Sequence, residues 1–205
     1  GKTFEEDDSW VQSDEIDLLY DILEENNSEI NLVRYTTSEI KTLFKEVKYD
    51  LEEVRDTKLV KPIDIGLLPN EIKNIGNTKK RKEIFIKIVL PLIVKENNKI
   101  RIDRKRLFTI LGKNSNTDIE KKWLEKKYKQ YGVRQNDLST LKIRMDEIPV
   151  SLAIAQAAKE TGWGTSRFAL KGNALFGQWT WSGEGLKPKN AEKGEEHKVM
   201  KFHSL

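Results

Sequence analysis

The spacing of apolar and polar positions changes character several times along this 205-residue chain. Through the first 35 residues only "IDLLYDIL" (Ile16–Leu23) gathers apolar side chains, and acids surround it, which predicts an acidic arm or linker over 1–36 with one short helix. From Thr37 the spacing turns helical. Ile40, Leu43, Phe44, Val47, Leu51 and Val54 recur every three or four residues, so one amphipathic helix is expected, capped by Thr37 or Ser38. Two Pro and two Gly between Lys58 and Asn77 predict an extended connector. A long helix should follow from Thr78, with Ile84, Phe85, Ile88, Val89, Leu92 and Ile93 on one face, Pro91 as a kink and Gly112 as the stop. "NTDIEKKWLEKKYKQYG" opens with capping residues and brings Ile119, Trp123 and Tyr128 to one face; a short helix over Asp137–Met145 comes next. The last periodic segment starts with Asp146 as a cap and Pro149 in the first turn, and turns Val150, Ile154, Ala157 and Ala158 toward a core. The pattern is mainly α, with helices over 37–145 and a compositionally different region over 146–205.

Composition narrows the class. Hydrophobic residues make up 37% and five Trp are present, enough for a genuine core. Charged residues reach 34%, the mean hydropathy is −0.64, and no window approaches the roughly 18 apolar residues of a membrane span. With no Cys and only His197 and His203 to supply imidazole, neither a disulfide framework nor a zinc site is expected, and no metal or cofactor is called for. "GKTFEEDDSW" has neither the basic start nor the apolar run of a signal peptide, and a segment or membrane anchor upstream of this chain is compatible with that.

The net charge of +4 conceals an asymmetry. Residues 1–34 carry eleven Asp/Glu against Lys2 and Arg34, about −9, leaving 35 basic against 22 acidic residues elsewhere, about +13. Such a body favours polyanions, an acidic cell-wall polymer among them. The clusters "KKRK" and "RKR" lie on a helix without aromatic interleaving, so no nucleic-acid partner is expected.

Chemistry concentrates in "IAQAAKETGWGTSRFALKGNALFGQW" (Ile154–Trp179), where Ala, Gly and Trp crowd around one acid, Glu160. It falls in the last turn of an Ala-rich helix. There the negative end of the helix dipole and a nearby indole such as Trp163 both favour a protonated carboxyl, which is what a general acid requires. The alternative is an ordinary solvated helix end with Trp163 and Phe168 as core.

The runs "AKETGWGTSRFA" and "GNALFGQW", with "HKVMKFHSL", resemble the catalytic region of the Bax-like glucosaminidases, relatives of the flagellar peptidoglycan hydrolases. A looser likeness reaches upstream to about residue 58. The resemblance implies a lysozyme-like α body with a small β-hairpin lobe near the C-terminus. It also implies cleavage of β-1,4 bonds of N-acetylglucosamine in peptidoglycan glycan strands, and action in the periplasm or cell envelope. Glu160 would be the general acid, with Trp163, Asn173, Phe176 and Trp179 shaping the sugar cleft. Trp179 and Trp181 share one side of a strand, which suits sugar stacking and hairpin packing equally. The second carboxylate would come from Glu184, Glu192, Glu195 or Glu196, with Glu192 favoured by alignment on Gly194, unless the substrate's own acetamido group serves. A catalytically silent glycan-binding module is the competing reading. In the resembled family a further helical segment with an Asn-Thr-His motif follows the "HKVMKFHSL" strand. The catalytic region is therefore expected to be C-terminally incomplete here and weakly active.

Overall fold

Local chemistry divides the first amphipathic segment in two. Thr36 caps the helix Thr37–Glu46 through a capping box with Glu39, so the cap lies one residue earlier than expected. The helix then ends at Glu46, where Lys48 turns to φ +54, and Asp50 caps a new helix by accepting from Glu52 N–H at 3.0 Å. The single helix expected through Val54 is thus a pair, because a left-handed residue and a competing Asp cap interrupt the backbone while the apolar spacing continues.

The computed structural model describes residues 9–24, 33–165, 179–182 and 185–188, with side chains described for 15–24 and 33–165. Among these, the helices are α1 (Ser9–Leu23), α2 (Thr37–Glu46), α3 (Leu51–Thr57), α4 (Thr78–Leu111), α5 (Asp118–Gln130), α6 (Leu138–Arg144) and α7 (Val150–Thr161), with a 3-10 turn at Asn70–Asn74. The protein is mainly helical. Two four-residue strands, β1 (Trp179–Ser182) and β2 (Gly185–Pro188), pair antiparallel with Trp179 opposite Pro188, and β2 runs beside α7. The β-hairpin lobe expected near the C-terminus is not shown by these two short strands, and the remaining residues assigned to it lie outside the described ones.

The axis of the fold is α4, 34 residues and about 51 Å long at 1.5 Å per residue. It runs unbroken through Pro91, and Gly112 ends it with φ −75, so the stop does not use a left-handed glycine. Its apolar face, including Phe85, Ile88, Val89, Ile93 and Leu107, is buried against the connector's Ile65, Leu68 and Ile72 and against Trp123, Leu141 and Met145. The Pro/Gly-rich connector is therefore core rather than covering. Burial of each such side chain contributes about 1.5–3 kcal/mol. Small side chains let α7 approach: Ala153, Ala157 and Ala158 are buried where it packs on α4. Among the described residues no helix is long and apolar enough to cross a membrane.

A polar network ties α1 to this core. Leu18 is buried, and Trp123 Nε1 on α5 donates to Asp21 Oδ2 at 2.6 Å. Lys127, almost fully buried, places Nζ 2.9 Å from Asp21 Oδ2 and 3.1 Å from Asp103 Oδ2. Tyr131 O–H donates to the same Asp103 oxygen at 3.1 Å, and Lys126 donates to the Glu24 carbonyl at 2.9 Å. Burial raises the Asp21 carboxyl, but the charge and hydrogen bond of Lys127 outweigh it, leaving Asp21 below its ordinary value. Asp103 lies deeper and also faces the Asp21 charge, so burial wins there and its carboxyl is held above the ordinary value.

Candidate active site

The site is built on the exit from α7. The helix opens at Val150, with Pro149 in the cap position and no side-chain cap; Asp146, expected to cap it, accepts instead from the adjacent Glu147 N–H. Asn97 of α4 fixes this entry, donating to the Ile148 carbonyl at 2.8 Å and accepting from Ile148 N–H at 3.0 Å. Register then places Ala153, Gln156, Ala157 and Ala158 inward and Lys159 and Glu160 outward in the last turn. Val150 and Ile154 are only half-buried.

The "TGWG" turn holds three successive residues at positive φ: Gly162 (+56), Trp163 (+57) and Gly164 (+83). Gly162 closes the helix, and Trp163 N–H reaches back to the Ala158 carbonyl at 2.9 Å. Thr161 Oγ1 donates to the Ala157 carbonyl at 2.7 Å and accepts from Gly164 N–H at 3.1 Å. Gly164 is buried so closely that a Cβ there would lie 3.1 Å from Leu68 Cδ1 and 3.2 Å from Ile72 Cδ1. Its glycine is required by both conformation and space. Trp163 accepts a backbone geometry that costs a bulky residue about 1–2 kcal/mol. Its ring meets Phe85 edge-on at 5.6 Å, and Lys82 Nζ sits 4.6 Å from the ring centre, contacts worth about 0.5–1.5 kcal/mol each.

Of the residues singled out from sequence, the fold brings Glu160 and Trp163 into one turn. Glu160 is exposed, so the covering by the Trp163 indole expected from sequence is not found: Trp163 is half-buried and its ring is engaged with Phe85 and Lys82 of α4 instead. Trp179 begins β1. Asn173, Phe176 and Glu192 lie outside the described residues, as do the other hairpin acids. Sequence reasoning missed Lys82, Phe85, Leu68 and Ile72 as supports of this turn. Lys82 read as one charge in "KKRK" and Phe85 as one position of an apolar face, and nothing local connects either to a turn almost eighty residues on. An open cleft of about 340 Å³ lies at the other end of α7, beside Asn97, Arg101 and Pro149. It is about 15 Å along the helix from Glu160 and belongs to a different surface.

Residues 137–205 match the family model of glucosaminidase, described as mannosyl-glycoprotein endo-beta-N-acetylglucosaminidase. The chain is also 32% identical over 120 residues to protein bax of Escherichia coli strain K12, an alignment covering 56% of this chain and 44% of that protein. The chain thus spans less than half the length of this relative. No solved structure matches it.

Proposed function

We propose that this chain, whose residues 137–205 match the glucosaminidase family model and which is 32% identical to protein bax over 120 residues, is a Bax-like glycoside hydrolase that cleaves β-1,4 bonds of N-acetylglucosamine in peptidoglycan. The observation that carries this reading is Glu160, an exposed carboxyl at the end of a helix packed by its alanines on α4, next to a turn whose strained backbone is braced from outside. Strain at a supported turn is characteristic of places where geometry serves chemistry. Glu160 donates its proton to the glycosidic oxygen as the bond to the anomeric carbon breaks. The oxocarbenium-like centre is then met by water or by the substrate's acetamido oxygen. Trp163, Asn173, Phe176 and Trp179 line the sugar path, the β1–β2 pair belongs to a small lobe flanking it, and Glu192 is the second carboxylate. The site of action is the cell envelope.

Zymography on bacterial wall tests the assignment. The Glu160→Gln variant should keep its helical circular dichroism and lose about 10²- to 10⁴-fold in wall clearing, since the amide cannot donate the proton. Near-normal clearing by this variant would remove Glu160 from the mechanism. A wild-type chain that pellets with walls and never clears them would instead be a glycan-binding module. Glu192→Gln should cost more activity than the same change at Glu195 or Glu196. Equal small losses at all three would leave the acetamido route.

A further inference from the structure

Among the described residues, the large apolar side chains that remain exposed gather, Leu59 aside, near the start of the chain and at the α4/α6 face. On α1, Ile16, Leu19, Tyr20 and Leu23 stand at i, i+3, i+4 and i+7, on the side opposite the buried Leu18 and the network-bound Asp21. Tyr20 and Leu23 are each 72% exposed. Glu15 and Asp17 flank this stripe on its two sides, Glu24 follows it, and none of the three has an ion-pair partner among the described residues. Such a helix carries two apolar faces, of which the fold uses one.

The other cluster has the opposite sign. Arg101, Lys105 and Phe108 share one face of α4, with Ile102 at its edge. The Phe108 ring has the Arg104 guanidinium 5.1 Å and Lys142 Nζ 5.9 Å from its centre, and Ile143 follows Lys142 in α6, 65% exposed. Arg104 is fixed by donating to the Lys142 and Met145 carbonyls at 2.6 and 2.7 Å. Glu147 offsets only Arg101. A polyanion would use the charges of this surface but not Ile102, Phe108 and Ile143, whereas an acid-flanked apolar helix uses both.

We propose that copies of this chain associate, the apolar stripe of α1 in one copy seated on the basic, Phe108-centred face of α4 and α6 in another. The contact pairs unlike patches, and it closes either reciprocally, as a two-fold dimer in which each α1 sits on the other copy's α4/α6 face, or one way only, as a ring or short chain. Each patch offers on the order of a few hundred Å², below the roughly 800 Å² per partner of a stable interface, so association is weak, micromolar or weaker, and sensitive to salt. The inference is independent of the glycosidase reading.

Sedimentation velocity over a concentration series tests it. The wild-type chain should show a concentration-dependent increase in sedimentation coefficient that high salt reduces. One variant carries Lys105→Glu with Lys142→Glu, and another carries Asp17→Lys with Glu24→Lys. Each alone should remain monomeric, because its two patches now repel. Mixed in equal amounts they should associate again, since each then offers the surface the other needs. All four positions are on the surface, and unchanged circular dichroism checks that folding is intact. A wild-type chain that stays monomeric throughout, charge-reversed variants that associate as wild type does, or a mixture that does not recover association would each overturn the proposal.

Discussion

Replacing Lys127 by Met tests whether α1 is held by charge or merely covers the core. The Lys127 side chain is 3% exposed and its ammonium bridges Asp21 and Asp103, whose side chains are 19% and 9% exposed. Met preserves the stem's packing and removes the charge. Two carboxylates would then face each other in a poorly solvated site, the situation in which deleting one member of a buried pair costs about 3–5 kcal/mol. For a chain of this size that corresponds to a fall in Tm of about 6–20 °C. The pH dependence separates this mechanism from loss of packing. In the wild type, Asp21 sits below its ordinary value of 3.8, so its contribution is present above that pH and is lost only as pH falls through the lowered value. In Lys127→Met the main charge opposing burial is gone, so both carboxyls should move upward in the folded state, with Trp123 and Tyr131 still donating to them and Arg106 3.8 Å from Asp21 limiting the rise. A raised carboxyl favours the fold at low pH and loses that advantage as pH rises, so the variant's deficit should shrink between about pH 7 and pH 4.5. Urea unfolding followed by circular dichroism at several pH values measures this. The triple change Asp21→Asn, Lys127→Met and Asp103→Asn should recover part of the loss, because the two facing carboxylates are gone while Arg106, 3.8 Å from Asp21 and partly exposed, loses its partner. A single-variant deficit under about 1 kcal/mol, or one constant with pH, would refute the reasoning.

Gly164→Ala should destabilise by about 2–4 kcal/mol and reduce wall clearing, because it combines a strained φ of +83 with a Cβ pressed against Leu68 and Ile72; thermal unfolding and zymography read the two effects. Asn97→Leu removes the donor and the acceptor that meet Ile148 and leaves both of its buried backbone groups unpaired, at a cost of about 2–4 kcal/mol by urea titration. Acid should weaken the wild-type fold below about pH 4. Backbone and Lys113 hydrogen bonds outweigh burial to hold Glu120 low, and hydrogen bonds from Thr140 hold Asp137 low, so both contributions are present above the ordinary carboxyl range and lost as pH falls through the folded values. Asp103 shifts in the opposite sense and offsets part of that loss, which a stability profile from pH 6 to 3 would record.

Helices α4, α5 and α6 were legible because periodicity and end signals agree: Thr117 with Glu120 forms the capping box that the letters suggest, and Asp137 caps α6 by accepting from Thr140 N–H. The break between α2 and α3 was not legible, since Lys48 carries no signal for a left-handed turn and the apolar spacing runs on past it. Asp21 looked like one acid among eleven near the chain start, because its partners Trp123 and Lys127 lie more than a hundred residues away. Glu160 stands out as a candidate because an acid, a helix end and two following glycines are written within five consecutive residues. Its supports could not, because they depend on which face of α4 and which point of the connector meet the turn.

That dependence bears on what the family-matched region can do alone. Residues 137–205 supply α6, α7 and the "TGWG" turn, but the surface against which α7 lays Ala153, Ala157 and Ala158 is α4, and Gly164 packs on Leu68, Ile72 and Phe85. Within the turn the last carbonyls of α7 are already satisfied, Ala157 by the Thr161 hydroxyl and Ala158 by the N–H groups of Gly162 and Trp163. The acceptor-only carboxylate of Glu160 has no part in that capping, and the side chain is exposed among the described residues. The arrangement holds only while Trp163 keeps its unfavourable φ, and the contacts offsetting that cost, Phe85 and Lys82, belong to α4. Positioning of the candidate acid is thus a property of the connector and the long helix as much as of the segment that contains it. Loosening those upstream contacts should reorient Glu160 without altering any residue of the matched region.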